Sequence, residues 1–126
     1  MTMKRPRILV VDDEPPLREL VVVTLGEAFL CDEVGDGDTA LQRLNENTYD
    51  LVMLDVMMPG TSGTDVLRKM RENDGLRDVP VVVMSAWQSP QDVARALEAG
   101  ADRFLAKPFR IDELGSMVRG LVGRSE

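Results

Sequence analysis

The sequence contains no histidine and only one cysteine, Cys31. The absence of histidine excludes histidine-based acid–base catalysis and histidine metal ligation, and a single cysteine cannot form an internal disulfide. Long apolar runs are absent as well, since none approaches the ~18 residues that a membrane-spanning helix requires. The basic start, residues 1–7, leads into a short strand-like run and lacks the apolar stretch of a signal peptide. We therefore expect a soluble cytoplasmic protein with no membrane partner.

Positive charge is scarce relative to negative charge. The chain has 15 lysine and arginine residues against 22 aspartate and glutamate residues, a net charge of −7. Direct contact with nucleic acid is therefore not expected, because it needs clustered positive charge. The length of 126 residues, with 44% hydrophobic and 29% charged residues, is typical of one globular domain. We predict a single domain over residues 1–126, with its core between about residues 7 and 122.

Short apolar runs recur along the chain and are separated by amphipathic segments. The runs cover residues 8–11, 30–34, 50–55, 79–84 and 103–106. They are too short for helices and rich in β-branched residues, which predicts buried strands. The run at 30–34 alternates in polarity and suits an outer strand.

The amphipathic segments place apolar residues at helical spacing. The five predicted apolar faces consist of Leu17, Leu20, Val21, Leu25 and Ala28; Ala40, Leu41 and Leu44; Val66, Leu67 and Met70; Val93, Ala94 and Leu97; and Leu114, Met117, Val118 and Leu121. Pro15-Pro16 and Ser89-Pro90 suit helix starts. Strict alternation of five strands with five helices predicts a doubly wound α/β domain with a parallel sheet.

Polar residues follow four of the predicted strands directly. They are Asp12, Asp13, Glu14, Asp55, Ser85 and Lys107. Right-handed parallel topology brings the carboxyl ends of the strands to one edge of the sheet, where such folds bind ligands. Each residue also has a simpler interpretation. Asp13 or Glu14 suits a helix cap, Asp55 a turn residue, Ser85 a loop hydroxyl and Lys107 a solvated surface charge.

Convergence of these residues would create a site for phosphoryl transfer. Asp12, Asp13 and Asp55 repel one another unless a cation joins them, and oxygen ligands of this kind suit Mg²⁺. Conversion of Asp55 to an acyl phosphate adds about one negative charge. The metal, Lys107 and the hydroxyl of Ser85 are suited to stabilise that charge. A carboxylate nucleophile beside a metal and a lysine is typical of phosphoryl-transfer chemistry.

Five short motifs in this order resemble those of a known family. They are Val10-Val11-Asp12-Asp13-Glu14; Leu54-Asp55-Val56-Met57-Met58-Pro59-Gly60 with Gly63 beyond it; Met84-Ser85-Ala86; Gly100-Ala101-Asp102; and Lys107-Pro108-Phe109. Over residues 7–122 the chain resembles the receiver domain of response regulators in two-component signalling. The resemblance implies a flavodoxin-like sheet in the strand order 2-1-3-4-5.

The resemblance also implies a phosphoacceptor and a metal site. Asp55 would accept a phosphoryl group from a phosphohistidine on a sensor histidine kinase or a histidine phosphotransfer protein. Asp13, Asp55 and the backbone carbonyl of Met57 would bind Mg²⁺ directly, and Asp12 would act through a bound water. The protein would then be a signalling phosphoacceptor that assists its own phosphorylation and slow dephosphorylation, and not an enzyme.

The response to phosphorylation is implied in the same way. Ser85 would bind a phosphoryl oxygen and Lys107 would pair with the phosphate. Ser85 and Phe104 would form the switch, with the ring of Phe104 turning inward once the hydroxyl of Ser85 moves; from spacing alone, Phe104 is an ordinary core aromatic. The resemblance further favours a cis peptide bond between Lys107 and Pro108.

Two other enzyme-like classes fit the sequence poorly. A dinucleotide-binding domain needs glycines after the first strand, where this chain has Asp12-Asp13-Glu14-Pro15-Pro16. A phosphatase of the haloacid-dehalogenase type needs a second aspartate two residues after its nucleophile, where this chain has Met57. A pseudo-receiver, which serves only for protein contacts, would be expected to have lost Asp55, Lys107 or the acidic pair Asp12-Asp13. All of these residues are present.

The biological context is left open by the sequence. The domain is either a stand-alone protein or the amino-terminal receiver of a longer transcription factor or enzyme. No basic helix-turn-helix segment follows the last predicted helix, so we expect the chain to act on a downstream effector protein. A homodimer linked to phosphorylation is a further expectation. It would use either Val22 and Val23 on the first helix or the family's more usual surface, the fourth helix, fifth strand and fifth helix.

Overall fold

The computed structural model describes residues 5–58, 60–87 and 89–124, with side chains described as far as residue 122. Its single sheet contains five parallel strands in the order β2-β1-β3-β4-β5. The strands are β1 (Arg7–Val11), β2 (Leu30–Val34), β3 (Leu51–Asp55), β4 (Val81–Ser85) and β5 (Arg103–Ala106). The predicted fold class and strand order are confirmed.

Five α-helices alternate with the strands, as predicted. They are α1 (Pro15–Leu25), α2 (Gly37–Glu46), α3 (Gly63–Glu72), α4 (Pro90–Glu98) and α5 (Ile111–Arg124), and a 3₁₀ turn at Gly26–Ala28 follows α1. Helices α1 and α5 pack together on one face of the sheet, and α2 and α3 pack together on the other. None of the helices in the described residues combines the length and the apolar composition that crossing a bilayer requires.

Alternation along the strands divides the core between the two faces. In β1, Leu9 and Val11 point towards α2 and α3, whereas Ile8 and Val10 point towards α1 and α5. All five residues of β3 are buried, because helices cover both faces of a central strand. Strand β2 has a single buried residue, Val34, and lies at the edge, as its alternating polarity predicted.

Two of the predicted helix faces are partly wrong. Leu20 is 40% exposed and Ala28 is exposed, so the buried side of α1 is formed by Val21 and Leu25. In α4 the buried residue is Ala96, whereas Leu97 is 47% exposed. Ala28 lies beyond the end of α1, in the 3₁₀ turn, and the three apolar residues predicted for α4 define the direction of a short helix only loosely. Packing against the sheet decides which side is buried.

Capping residues fix where three helices begin, at the carboxyl edge of the sheet. The side chains of Asp36, Ser62 and Ser89 accept hydrogen bonds from backbone N–H groups in the first turns of α2, α3 and α4. The helix start predicted at Ser89-Pro90 is confirmed, and Ser89 also forms a capping box with Asp92, which was not predicted.

Candidate functional site

The buried polar side chains of the described residues all lie at the carboxyl edge of the sheet. They are Asp12, Asp55 and Ser85, which are 0%, 4% and 2% exposed. Asp12 follows β1, Asp55 ends β3 and Ser85 ends β4. Burial of polar groups costs free energy unless they find partners, so this concentration marks the edge as a built site.

Three carboxylates and one ammonium group meet at this edge. One oxygen atom from each of Asp12, Asp13 and Asp55 lies within 4.8 Å of the others. Lys107 Nζ donates to Asp12 Oδ2 at 2.9 Å and to Asp55 Oδ2 at 3.3 Å, and its side chain is only 14% exposed. Lys107 is thus not the solvated surface charge of the simpler interpretation. Its peptide bond to Pro108 is cis, as expected.

The donor set fits a hard divalent cation. Three carboxylates and one ammonium leave two unbalanced negative charges, which a cation such as Mg²⁺ would neutralise. The ligands are all oxygens, and softer sulfur or imidazole donors do not occur in the cluster. Asp13 is exposed, so a cation at the cluster can retain water ligands, as Mg²⁺ prefers.

The electrostatics of Asp55 and Lys107 reflect this crowding. Burial raises the pKa of Asp55, and the charge of Asp12 raises it further, whereas the hydrogen bond from Met57 N–H and the ammonium of Lys107 lower it. Burial by itself lowers the pKa of Lys107, but the hydrogen bond to Asp12 and the charge of Asp55 outweigh burial and raise that pKa. Lys107 is therefore a cation at neutral pH, whereas the burial of Asp55 and the charge of Asp12 disfavour the ionised form of Asp55.

The same local hydrogen bond orients all three buried side chains. Asp12 Oδ1 accepts from Glu14 N at 2.9 Å, Asp55 Oδ1 from Met57 N at 3.1 Å, and Ser85 Oγ from Trp87 N at 2.9 Å. In each case a side-chain oxygen binds the N–H two residues further on, which turns the chain at the strand end. Glu14 occupies the N-cap position of α1, as the simpler interpretation allowed, but its side chain makes no capping bond.

Two neighbouring cavities open at this edge and share Trp87. The larger, of about 450 Å³, is lined by Asp13, Glu14, Asp55, Met57, Met58, Ala86, Trp87 and Lys107. The smaller, of about 220 Å³, is lined by Val56, Thr64, Ser85, Trp87, Asp92, Arg95, Ala96 and Phe104. The structure thus brings Phe104, which is half-buried, next to Ser85 and not into the cavity of Asp55.

Gly63 allows α3 to begin directly against the end of β3. A Cβ atom at this position would overlap the carbonyl oxygen of Asp55. Gly63 N also donates to the carbonyl of Val56 at 3.1 Å. The lack of a side chain at Gly63 therefore lets the first turn of α3 pack directly against the backbone of Asp55 and Val56. Gly63 belongs to one of the five sequence motifs, but the motif alone does not reveal this role.

The family of the chain follows from a comparison with known proteins. The model of the response regulator receiver domain matches residues 8–119. The chain belongs to this family. It therefore contains the receiver domain of a two-component response regulator, as the motifs suggested.

Curated relatives and solved structures agree with this assignment. The DNA-binding response regulator MtrA of Mycolicibacterium smegmatis is 44% identical over 127 residues, covering 100% of this chain and 54% of that protein. The phosphate regulon transcriptional regulatory protein PhoB of Escherichia coli is 40% identical over 119 residues, covering 94% and 52%. The chain thus spans about half the length of these relatives.

Receiver domains of known structure superpose closely. The receiver domain of the Francisella response regulator 1452 gives a TM-score of 0.90 at 32% identity, covering 96% of this chain and 99% of that one. The BeF₃-activated DrrB receiver domain gives a TM-score of 0.88 at 27% identity, covering 96% and 100%.

Proposed function

We propose that this receiver domain is a Mg²⁺-dependent phosphoacceptor and that Asp55 is the residue phosphorylated. The donor is a phosphohistidine on a sensor histidine kinase or a histidine phosphotransfer protein. The observation that carries the proposal is the buried carboxylate of Asp55, which lines an open cavity beside Lys107 and two further carboxylates. A buried titratable group that lines an open cavity is a candidate functional site.

The reaction is a displacement at phosphorus. An oxygen of Asp55 attacks the phosphoryl group, the bond between phosphorus and the imidazole nitrogen breaks, and its electron pair stays on that nitrogen. The product is an acyl phosphate with about one more negative charge than the carboxylate. Asp13, Asp55 and the Met57 carbonyl are the proposed direct ligands of Mg²⁺, with Asp12 acting through water. A Mg²⁺ ion held by these residues would supply positive charge to balance that of the phosphoryl oxygens.

Lys107 and Ser85 take the remaining phosphoryl oxygens. The raised pKa of Lys107 keeps it charged, so that its ammonium can move from the carboxylates to the phosphoryl group as that group arrives. The hydroxyl of Ser85 accepts from Trp87 N–H and still has its own proton to donate. Movement of Ser85 towards the phosphoryl group would enlarge the cavity beside Phe104, and we propose that the ring of Phe104 then turns inward.

The output passes through a protein surface. The named relatives are a DNA-binding response regulator and a transcriptional regulatory protein, and this chain spans about half of each. We propose that the receiver domain itself makes no contact with nucleic acid, because its net charge is −7. Its partners are instead an effector protein or domain and, once phosphorylated, a second copy of the chain. A cytoplasmic location and a signalling role without turnover of a substrate belong to the same proposal.

Labelling with acetyl phosphate and Mg²⁺ tests the proposal. We expect the mass of the intact protein to increase by one phosphoryl group, and we expect Asp55→Asn, which is nearly isosteric, to abolish the increase. Asp78→Asn changes an exposed aspartate away from the site and should be labelled like the parent. Chelation of Mg²⁺ should also stop labelling, because the carboxylates then repel the phosphodonor. Labelling that survives in Asp55→Asn would contradict the assignment.

A further inference from the structure

The guanidinium of Arg18 lies behind the acidic cluster and has no role in the chemistry above. Arg18 belongs to α1, and its side chain is 19% exposed. Its Nη1 donates to the backbone carbonyl of Asp12 at 2.5 Å. Its Nε lies 3.4 Å from Glu33 Oε1, so that Glu33, on β2, offsets part of its charge. Arg18 thus connects α1, β2 and the end of β1.

The bond to Asp12 is the principal hydrogen bond of this guanidinium. Arg18 Nε is buried without a hydrogen-bond partner among the described residues, because the contact with Glu33 is an ion pair of poor geometry. A Cβ atom at Gly35 would lie 3.2 Å from Arg18 Nη1, so the absence of a side chain there makes room for the guanidinium. A buried polar group without its full set of hydrogen bonds costs free energy, so stabilisation of the fold alone is a poor explanation for Arg18 at this position.

The carbonyl that Arg18 binds belongs to the peptide unit that leads into Asp13. Because a peptide unit is planar, a fixed carbonyl of Asp12 also fixes the N–H and the Cα atom of Asp13, from which its side chain branches. Within the part of the chain that the structure describes, no hydrogen bond or ion pair holds the carboxylate of Asp13. Its direction therefore depends on the backbone. The other groups of Asp12 are already fixed, since its N–H binds Val34 O at 3.1 Å and its carboxylate binds Glu14 N–H and Lys107.

We infer that Arg18 is a positioning residue, which holds the Asp12–Asp13 peptide so that the carboxylate of Asp13 faces the metal site. The inference rests on the proposed function. It makes a prediction opposite to that of simple electrostatics. Removal of a cation close to an acidic cluster strengthens the binding of Mg²⁺ if charge alone matters, whereas a loosened Asp13 weakens it. Because Glu33 already offsets part of the charge of Arg18, we expect the loss of positioning to dominate.

Magnesium binding by the intact chain tests the inference directly. Trp87 is the only tryptophan and lines the cavity with Asp13 and Asp55, so its fluorescence reports a Mg²⁺ titration. We expect Arg18→Met to weaken Mg²⁺ binding about tenfold, since removal of groups that orient a metal ligand typically costs about 10–100-fold in affinity. Labelling by acetyl phosphate should need correspondingly more Mg²⁺ and recover at saturating Mg²⁺.

Arg7→Met is the matched control. Arg7 also forms an ion pair across β1 and β2, with Asp32, but at the opposite end of β1. This variant loses the same charge and, like Arg18→Met, an ion pair with a carboxylate of β2. It should bind Mg²⁺ within about twofold of the parent, because a distant charge is screened. Comparable weakening in both arginine variants would overturn the inference, because it would trace the effect to charge or to general stability.

The remaining outcomes separate this inference from the proposed function. The Arg18→Met variant could melt at a lower temperature and still bind Mg²⁺ at least as tightly as the parent. That result would overturn the positioning role of Arg18 and leave the proposed function intact. If the parent chain does not bind Mg²⁺, and its titration matches that of Asp13→Asn, the proposed metal site and the inference are both overturned. If Arg18→Met does not fold, Gly35→Ala keeps the charge and crowds the guanidinium, so weaker Mg²⁺ binding in that variant supports the inference and unchanged binding overturns it.

Discussion

Met57 and Trp87 determine which groups surround a phosphoryl group on Asp55. Both line the cavity that contains Asp55, and they are 48% and 55% exposed. Loss of the phosphoryl group needs a water molecule in line with the bond between Asp55 and phosphorus, and polar groups place such a water best. Methionine is apolar, and the indole of tryptophan offers one donor and no acceptor. We therefore expect a long-lived phosphorylated form.

The double variant Met57→Asn, Trp87→Glu tests the lifetime. It supplies polar groups beside Asp55 and should lose its phosphoryl group about tenfold faster, the effect of ~1.4 kcal/mol in positioning. The rate is measured from the decay of the phosphorylated mass after the phosphodonor is removed. Val23→Asn, Ile111→Glu is a control that changes exposed apolar residues away from the cavity, and it should decay like the parent. Equal rates in parent and test variant would show that water placement is not limiting.

Asp32 and Tyr49 form a second polar cluster, remote from the site and dependent on pH. Asp32 Oδ2 accepts from Tyr49 Oη at 2.7 Å and from Arg7 Nη2 at 2.9 Å. Burial acts to raise the pKa of Asp32, but the bonds from Tyr49 and Arg7 outweigh it and lower that pKa. Burial and the bond to Asp32 raise the pKa of Tyr49 to about 12. The cluster thus stabilises the fold over the pH range in which Asp32 is ionised and Tyr49 is still protonated.

Asp32→Asn should make this dependence measurable. A carboxyl whose pKa is lowered by folding contributes stability above its unfolded pKa, and that contribution is lost as pH falls through the folded pKa. At pH 7 we expect a loss of about 0.5–1 kcal/mol in the free energy of unfolding, a modest value because the pair is partly exposed. Urea denaturation should show the difference between parent and variant shrinking at acidic pH. A difference that stays constant from pH 7 into acid would contradict the assignment to the ionised carboxylate.

At the scale of elements, α5 and the start of α3 contain glycines with opposite roles. A Cβ atom at Gly120, on the exposed side of α5, would meet nothing within 4 Å. Glycine inside a helix costs about 0.5–1 kcal/mol relative to alanine, so Gly120→Ala should raise the free energy of unfolding by that amount. Gly63→Ala, which forces the Asp55 carbonyl to move, should lower both stability and labelling by acetyl phosphate. Denaturation and labelling of the two variants together check the pair, and a Gly63→Ala variant that is labelled normally would contradict it.

The elements were predictable where the apolar pattern was continuous. Strands β3 and β4 are buried along their whole length, so a run of apolar residues marked them without ambiguity. The buried side of α4 was not predictable, because it rests on Ala96, which differs little from the neighbouring alanines. The Gly100-Ala101-Asp102 motif had no visible reason in the sequence. In the structure, Arg71 from α3 binds Gly100 O at 2.7 Å and Asp102 Oδ2 at 3.1 Å, a contact that depends on tertiary structure.

The candidate site was predictable to a similar extent. Topology alone brings the ends of parallel strands together, so the grouping of Asp12, Asp55 and Lys107 followed from the order of the elements. The bonds from N–H groups two residues further on were not predictable, because they depend on the local path of each loop. Arg18 was missed because it lies within α1, where an arginine ordinarily faces solvent.

The two candidate surfaces for association of two copies, one on α1 and one on α4 and β5, differ in how continuous their exposed apolar residues are. On α1, Val23 is 70% exposed but Val22 is half-buried, so the two valines do not form the contiguous patch that the sequence suggested. Single exposed apolar residues are common on protein surfaces. On α4, Leu97 is 47% exposed and Ala94 is exposed, and β5 with the half-buried Phe104 packs against this helix. A movement of Phe104 would therefore reach the surface of α4 and not that of α1.

We therefore expect phosphorylation to promote association through α4 and β5. In sedimentation velocity after treatment with acetyl phosphate and Mg²⁺, the parent should sediment faster than the untreated chain, and Leu97→Glu should not, because it places a charge in the apolar contact. Val23→Glu adds the same charge to α1 and should behave like the parent. The reverse result, with association lost in Val23→Glu and kept in Leu97→Glu, would assign the contact to α1. Asp55→Asn should remain unassociated under both conditions, since it lacks the phosphoryl group on which the association depends.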